Sequence, residues 1–286
     1  MNNIKLNMSD IGFGANRLGI SHGYTMIKKL RPELAKKIDY ITHYNFEEDM
    51  KLTNKKFYNS VYEACYQVYK KNLNDLKDGK FVITIGGDHS LALGSVKASM
   101  EYANEDIGLI WIDAHADINT FDITESGNIH GMPVSGLVGI NDNKYNNLGN
   151  KLKIKPNNLV YIATRDVDKE EVKLIKKHKI MEFSDATIQK ESFENCLENT
   201  VNYLKPRVKK VHISLDLDSL NPSIIKGVST PVKSGLNLQD PISLIKRINK
   251  EFEIIAIDIV EYNPLNDIDE KTIDYLNTLI NDITLV

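Results

Sequence analysis

Apolar side chains fall along this chain in two alternating rhythms. Eight short runs are apolar at consecutive or near-consecutive positions: IKLNM (4–8), IDYIT (38–42), FVITI (81–85), GLIWID (108–113), LVYIAT (159–164), KIMEF (179–183), VHISLDL (211–217) and IIAIDIV (254–260). Strands covered on both faces have this character. Longer segments lie between them, with apolar residues three and four apart, and predict helices at 24–37, 56–78, 90–104, 169–178, 187–205, 240–251 and 269–283. In NSVYEACYQVYKKNLNDL the basic residues come late, as at a helix C-terminus. Strand and helix alternating some seven times predict a three-layer α/β/α sandwich around a doubly wound, mostly parallel sheet of about eight strands. The loop stretches 119–131 and 141–158 lack linker composition, so residues 1–286 are expected to form a single domain.

Composition narrows the function classes. A chain of 286 residues is long enough to bury a large core. With 42% hydrophobic and 26% charged residues it reads as globular. The net charge is -3 and the lysines are scattered, so neither nucleic acid nor an anionic membrane surface is an expected partner. Cys65 and Cys196 have no partner at metal-ligand or redox spacing and read as reduced packing cysteines. The opening MNNIKLNMSD lacks the basic start and apolar core of a signal peptide, and no apolar run approaches the ~18 residues of a membrane span. A cytoplasmic protein is expected. GGDHSLALG matches neither G-x-G-x-x-G nor a P-loop, which argues against nucleotide binding.

Ionisable residues collect at the carboxyl ends of four runs, where parallel sheets bind ligands. FVITIGGDHS delivers Asp88 and His89, GLIWIDAHAD delivers Asp113, His115 and Asp117, VHISLDLDS delivers Asp216 and Asp218, and IIAIDIVE delivers Asp258 and Glu261. Residues two apart in extended chain point the same way, so Asp113, His115 and Asp117 converge, as do Asp216 and Asp218. Singly, each is also what a loop cap offers. Together, four aspartates at one buried edge repel and cost several kcal/mol each to desolvate unpaired. Two divalent cations match their formal charge, and with His89 the six ligands suffice if two aspartates bridge. Carboxylate and imidazole without thiolate favour an ion such as Mn²⁺.

Five phrases in order, GGDHS (86–90), DAHAD (113–117), SGNIHG (126–131), SLDLDSLNPS (214–223) and VEYNP (260–264), resemble the ureohydrolase family, and their details are most similar to its arginase branch. The resemblance implies two Mn²⁺ ions per subunit, one on His89, Asp113, Asp117 and Asp216 and the other on Asp113, His115, Asp216 and Asp218. It implies hydrolysis of L-arginine to L-ornithine and urea by attack of a metal-bridging hydroxide. Asp117 then accepts a hydrogen bond from the hydroxide and protonates the leaving amine. His130 relays protons, an assignment that the ordinary imidazole pKa also suits. Glu261 orients the guanidinium, with Thr230 nearby. Asn119, Thr124 and Ser126 match the donors to the substrate α-carboxylate, Asp168 the contact to its α-ammonium, and Glu171 a second contact through water. Agmatine has no α-carboxylate, so this donor set favours arginine. An agmatinase or guanidinobutyrase-like enzyme is the alternative, and a non-catalytic guanidino- or polyamine-binding homologue a remote one. The family also implies a homo-oligomer, trimer or hexamer.

The chain departs from the arginase pattern in three places. KSGLNLQDP lacks the usual Arg after the Thr-Pro-Val phrase, Tyr24 stands where Pro is common, and Asn221 replaces Asp before Pro222. His22, His43, His178 and His212 have no spacing logic and read as structural or surface residues.

Overall fold

The computed structural model describes residues 3–15, 19–42 and 54–285. All eight predicted runs become strands: β1 (Ile4–Ser9), β2 (Ile38–Tyr40), β3 (Phe81–Gly86), β4 (Gly108–Ile112), β5 (Leu159–Ile162), β6 (Met181–Phe183), β7 (Lys210–Asp216) and β8 (Glu253–Val260). They form one sheet in the order β2-β1-β3-β8-β7-β4-β5-β6, and every pairing between these strands is parallel. Alternation along each strand sends side chains to two buried layers. Ile110 and Ile112 enter one and Leu109 and Trp111 the other.

Helices cover both layers. On the Trp111 side pack α3 (Tyr58–Lys77), α4 (Ala92–Ala103), α5 (Pro133–Val138) and α7 (Lys169–His178); α6 (Asn143–Asn146) follows α5. On the Ile110 side pack α1 (Gly23–Leu30), α2 (Pro32–Ala35), α8 (Asp185–Glu191), α9 (Phe193–Leu204), α10 (Asp240–Asn249) and α11 (Lys271–Ile283).

Two predicted helices are each split. The 24–37 segment breaks at Arg31, whose φ of -136° and ψ of 63° lie outside the helical region that Pro32 disfavours in its predecessor. The 187–205 segment breaks at Ser192, with φ 76° and ψ 152°, where the side chain caps α9 by accepting from the Asn195 N–H. The short α5 and α6 were not predicted. They begin on Pro133 and on the Asp142 cap, signals too local to produce an apolar periodicity.

Four strands central to the site, β3, β8, β7 and β4, lie side by side although the chain visits them in the order β3, β4, β7, β8. Their carboxyl ends therefore share one edge. Gly87 draws this edge in. A Cβ there would lie 2.1 Å from the Ile11 carbonyl oxygen, so the β3 loop packs directly on the segment after β1. Its value is this close approach, not a left-handed turn.

Cys65 and Cys196 are buried and unbridged. No helix among the described residues is long and apolar enough to cross a membrane.

Candidate active site

The strand ends bring His89, Asp113, His115, Asp117, Asp216, Asp218 and Glu261 to one edge, while Asp88 caps the turn by accepting from the Ser90 N–H and Asp258 stays inside β8. The 3-10 turn His89–Leu91 after β3 buries the His89 ring. Its Nδ1 stands 2.9 Å from Asp113 Oδ2, 3.2 Å from Asp117 Oδ2 and 3.2 Å from Asp216 Oδ2. Beyond β4, His115 Nδ1 lies 3.3 Å from Asp113 Oδ1 and 3.2 Å from Asp218 Oδ2. Two groups able to hold an ion result, His89–Asp113–Asp117 and Asp113–His115–Asp218, and they share Asp113. Asp216 touches the first through His89 and binds the Asp218 N–H at 2.7 Å.

The electrostatics of this cluster calls for cations. Burial raises Asp117 to about 6, with Asp113 adding to the effect. Burial, Asp218 and Asp113 push Asp216 well up, and burial also raises Asp218. Asp113 alone is lowered, because its contacts with His115 and His89 outweigh its burial. Burial disfavours a charged His89, yet the carboxylates of Asp113, Asp117 and Asp216 outweigh it and hold the ring well above its ordinary value. Carboxylates crowded on two imidazole nitrogens, with no Lys or Arg among the ion-holding groups, are a hard, oxygen-rich donor set that divalent ions fit.

The surroundings hold these side chains in place. Trp111, two residues before Asp113 on the same strand face, donates Nε1–H to Asp113 Oδ2 at 3.0 Å and stacks on the His89 ring at 3.9 Å between centroids. Thr230 donates to Asp218 Oδ2 at 2.9 Å, which places this residue on a carboxylate of the cluster as well as in the pocket wall. Arg165 spans the loops after β7 with donors to the carbonyls of Asp218, Ser219 and Val232. Asp117 (φ 51°) and Glu261 (φ 66°) both occupy the left-handed region, a strain found where a side chain is aimed for use.

A cleft of about 160 Å³ opens over the cluster. Asn119, Thr124, Ser126, His130, Asp168, Glu171 and Thr230 line it together with His115, Asp117, Asp216 and Asp218. Thr124 Oγ1 accepts from the Gly127 N–H and Ser126 Oγ from the Asn128 N–H, so each hydroxyl keeps its own hydrogen to donate. Asn119 Nδ2 donates to Asp168 Oδ2 at 3.0 Å and retains a second N–H. Asp168 and Glu171 form the capping box that starts α7, and burial, with Asp117 second, pushes Glu171 up to about 8. A larger cleft of about 290 Å³ over α10 and α11 is lined by Ile224, Leu238, Ile242 and Tyr275 and gathers no His–Asp cluster.

Glu261 lies deeper. Its Oε1 accepts from the His89 N–H at 2.9 Å and stands 3.2 Å from His130 Nδ1, while Oε2 is buried without a partner. Burial would lower His130, but the Glu261 contact outweighs it and the ring rises to about 9, above the unshifted value expected from sequence. Three lining residues were not singled out from sequence: Asn128, whose Oδ1 is buried without a partner, Gly131 and Asp166, 3.8 Å from His115 Nε2. Asn128 and Gly131 sit inside SGNIHG beside Ser126 and His130, and Asp166 lies two residues before Asp168. Of the remaining histidines, His22 is exposed, His178 partly buried and His212 fully buried; His43 lies outside the described residues.

Comparison with known proteins agrees with this geometry. The Arginase family profile matches residues 10–286. An arginase of Staphylococcus aureus is 35% identical over 283 residues, covering 94% of this chain and 92% of that one. Among solved structures, the arginase of Bacillus caldovelox superposes with a TM-score of 0.89 at 29% identity, covering 99% of this chain and 98% of that one. The arginase of Entamoeba histolytica, crystallised in complex with L-ornithine, superposes with a TM-score of 0.89 at 25% identity over 99% of this chain and 98% of its own.

Proposed function

The chain belongs to the arginase family, metal-dependent hydrolases of C–N bonds, and from that premise we propose that it cleaves L-arginine to L-ornithine and urea with two Mn²⁺ ions. The observation that carries the substrate choice is the donor set of Thr124, Ser126 and Asn119, which lines the same cleft as the His–Asp cluster. Neutral donors with free hydrogens suit an α-carboxylate, and agmatine has none to offer them. L-Ornithine, recorded with the similar Entamoeba enzyme, is the product this reading requires.

His89, Asp113, Asp117 and Asp216 would hold one ion, and Asp113, His115, Asp216 and Asp218 the other. When bound, the ions supply water of lowered pKa and Lewis-acid stabilisation of developing charge. The protein's own groups do the rest. Thr124, Ser126 and Asn119 bind the α-carboxylate, while the Asp168 carboxylate, with Glu171 behind it, attracts the α-ammonium. The unpartnered Glu261 Oε2 accepts a guanidinium N–H and turns the carbon toward the cluster. Asp117 passes a proton to the leaving amine, and His130, at the cleft wall beside Glu261, exchanges protons with solvent. A cytoplasmic trimer or hexamer belongs to the same reading, and sedimentation checks the assembly.

Urea release from arginine and from agmatine, each with and without Mn²⁺, tests the proposal. Mn²⁺-dependent release from arginine is expected. Release from agmatine alone overturns the substrate assignment, and unchanged activity in Asp113→Ala overturns the metal mechanism.

A further inference from the structure

Strand β7 carries a polar stripe, His212, Ser214 and Asp216, on the face that packs against α4, a layer otherwise built of aliphatic and aromatic side chains. Asp258 on β8 lies beside Ser214 in register. Although IIAIDIVE placed Asp258 with the strand-end carboxylates, it sits inside the strand, fully buried and away from the cleft. It faces no Lys or Arg in its hydrogen bonds. Three groups contact its Oδ2, and a fourth stands behind His212. His212 Nε2 is at 2.9 Å, Ser95 Oγ at 2.6 Å and Ser214 Oγ at 3.2 Å, and Ser99 Oγ lies 2.8 Å from His212 Nδ1. Ser214 Oγ is in turn 2.9 Å from His89 Nε2.

We propose that Asp258 and His212 are positioning residues that act through Ser214 to fix which nitrogen of His89 faces the cations. The inference rests on the metal reading above. A carboxylate only accepts, so the single hydrogen of Ser214 goes to Asp258. The Ser214 oxygen must then accept from His89 Nε2–H. A neutral imidazole carries one proton, so Nδ1 is left as a lone pair, and Nδ1 is the atom that faces Asp113, Asp117 and Asp216. With the relay reversed, Ser214 would donate to Nε2 and Nδ1 would carry the proton, which removes it as a ligand. His212 and Ser95 hold the Asp258 oxygen in place as donors, and Trp111 fixes the plane of the ring by stacking. Among the described residues, the His115 side of the cluster has no hydrogen bond to this relay.

The test is a Mn²⁺ titration of the full chain, followed by the spin-resonance signal of the free ion. Wild type is expected to bind two ions. Asp258→Asn puts an amide where it must either donate to Ser214 or bury an unpartnered NH2. It is expected to weaken one of the two sites by about ten- to a hundredfold while the other stays within about twofold, with KM for arginine unchanged. Loss of affinity at both sites alike, or at neither in a folded variant, overturns the relay. Where Asp258→Asn does not fold, Ser214→Ala decides. The same selective loss supports the relay and wild-type affinity overturns it. A wild-type chain that binds no divalent ion overturns the metal reading, and the relay with it. Two ions bound without selective loss in the variants overturn the relay alone.

Discussion

Thr124 and Ser126 illustrate how much of the site is set by single residues. Both stand in a loop without regular structure, and both accept from a backbone N–H two or three residues on. Such local bonding is what Ser and Thr side chains do in turns, and here it fixes each hydroxyl oxygen while leaving its hydrogen free to donate. The pairing was legible as a donor set; the backbone N–H that each oxygen accepts was not, because it depends on how the loop turns. Ser126→Ala is expected to raise KM for arginine about tenfold, the cost of one hydrogen bond to a charged group, with kcat changed less than about twofold. Steady-state urea production reads both constants, and an equal fall in kcat would remove Ser126 from the binding role. His130 teaches the converse. Its place in the cleft was readable from SGNIHG, but its rise to about 9 comes from Glu261, 131 positions away, which no spacing rule reaches.

Elements follow the periodicity wherever packing and propensity agree. All eight strands and α7 fall where the runs placed them, since consecutive apolar residues have no stable alternative to burial between two helical layers. The errors are at boundaries that one residue decides. Ser192 lies between the apolar periods of Ile188 and Phe193 yet adopts φ 76° and ψ 152°, a region costing about 1–3 kcal/mol outside glycine. Relief of that strain exceeds the entropy of about 0.5–1 kcal/mol that glycine adds to the unfolded chain. Ser192→Gly is therefore expected to stabilise by about 1 kcal/mol. Ser192→Ala keeps the strain, loses the cap and should cost about 1 kcal/mol. Denaturant midpoints rank the three proteins, and a glycine variant less stable than the alanine one would refute the strain.

At the scale of the whole molecule, stability and function oppose each other at the sheet edge. Four aspartates gathered there weaken the fold unless cations offset them. Divalent ion at a hundredfold excess over Kd is expected to add about 2.7 kcal/mol per site, visible as a higher thermal midpoint that a chelator reverses. Asp117 gives the sign of the pH dependence in chelated protein. Its value rises from 3.8 to about 6 on folding, so between those pH values the native state holds a proton that the unfolded chain has released. That contribution is full below about pH 4 and is lost as pH rises through 6. Urea denaturation with chelator should show stability falling across this window, and saturating Mn²⁺ should flatten the slope. A slope unchanged by the ion would separate Asp117 from the cation site.

The sequence by itself determined the layers, the eight strands and the carboxylates and imidazoles that gather at the sheet edge, because burial, period and charge repulsion are local or additive properties that a linear text carries. DAHAD and SLDLD fix convergent carboxylates by the two-residue period alone. Only the tertiary structure decided that β8 and β7 fit between β3 and β4, for strand order depends on which helices cover which face and not on any one run. That order sets His89 among Asp113, Asp117 and Asp216, puts Glu261 against His130, and turns Asp258 and His212 from an apparent site residue and an unassigned histidine into a buried pair behind the ligands. Contacts between residues far apart in the chain form only when the sheet closes, and the chemistry of this cleft is made of such contacts.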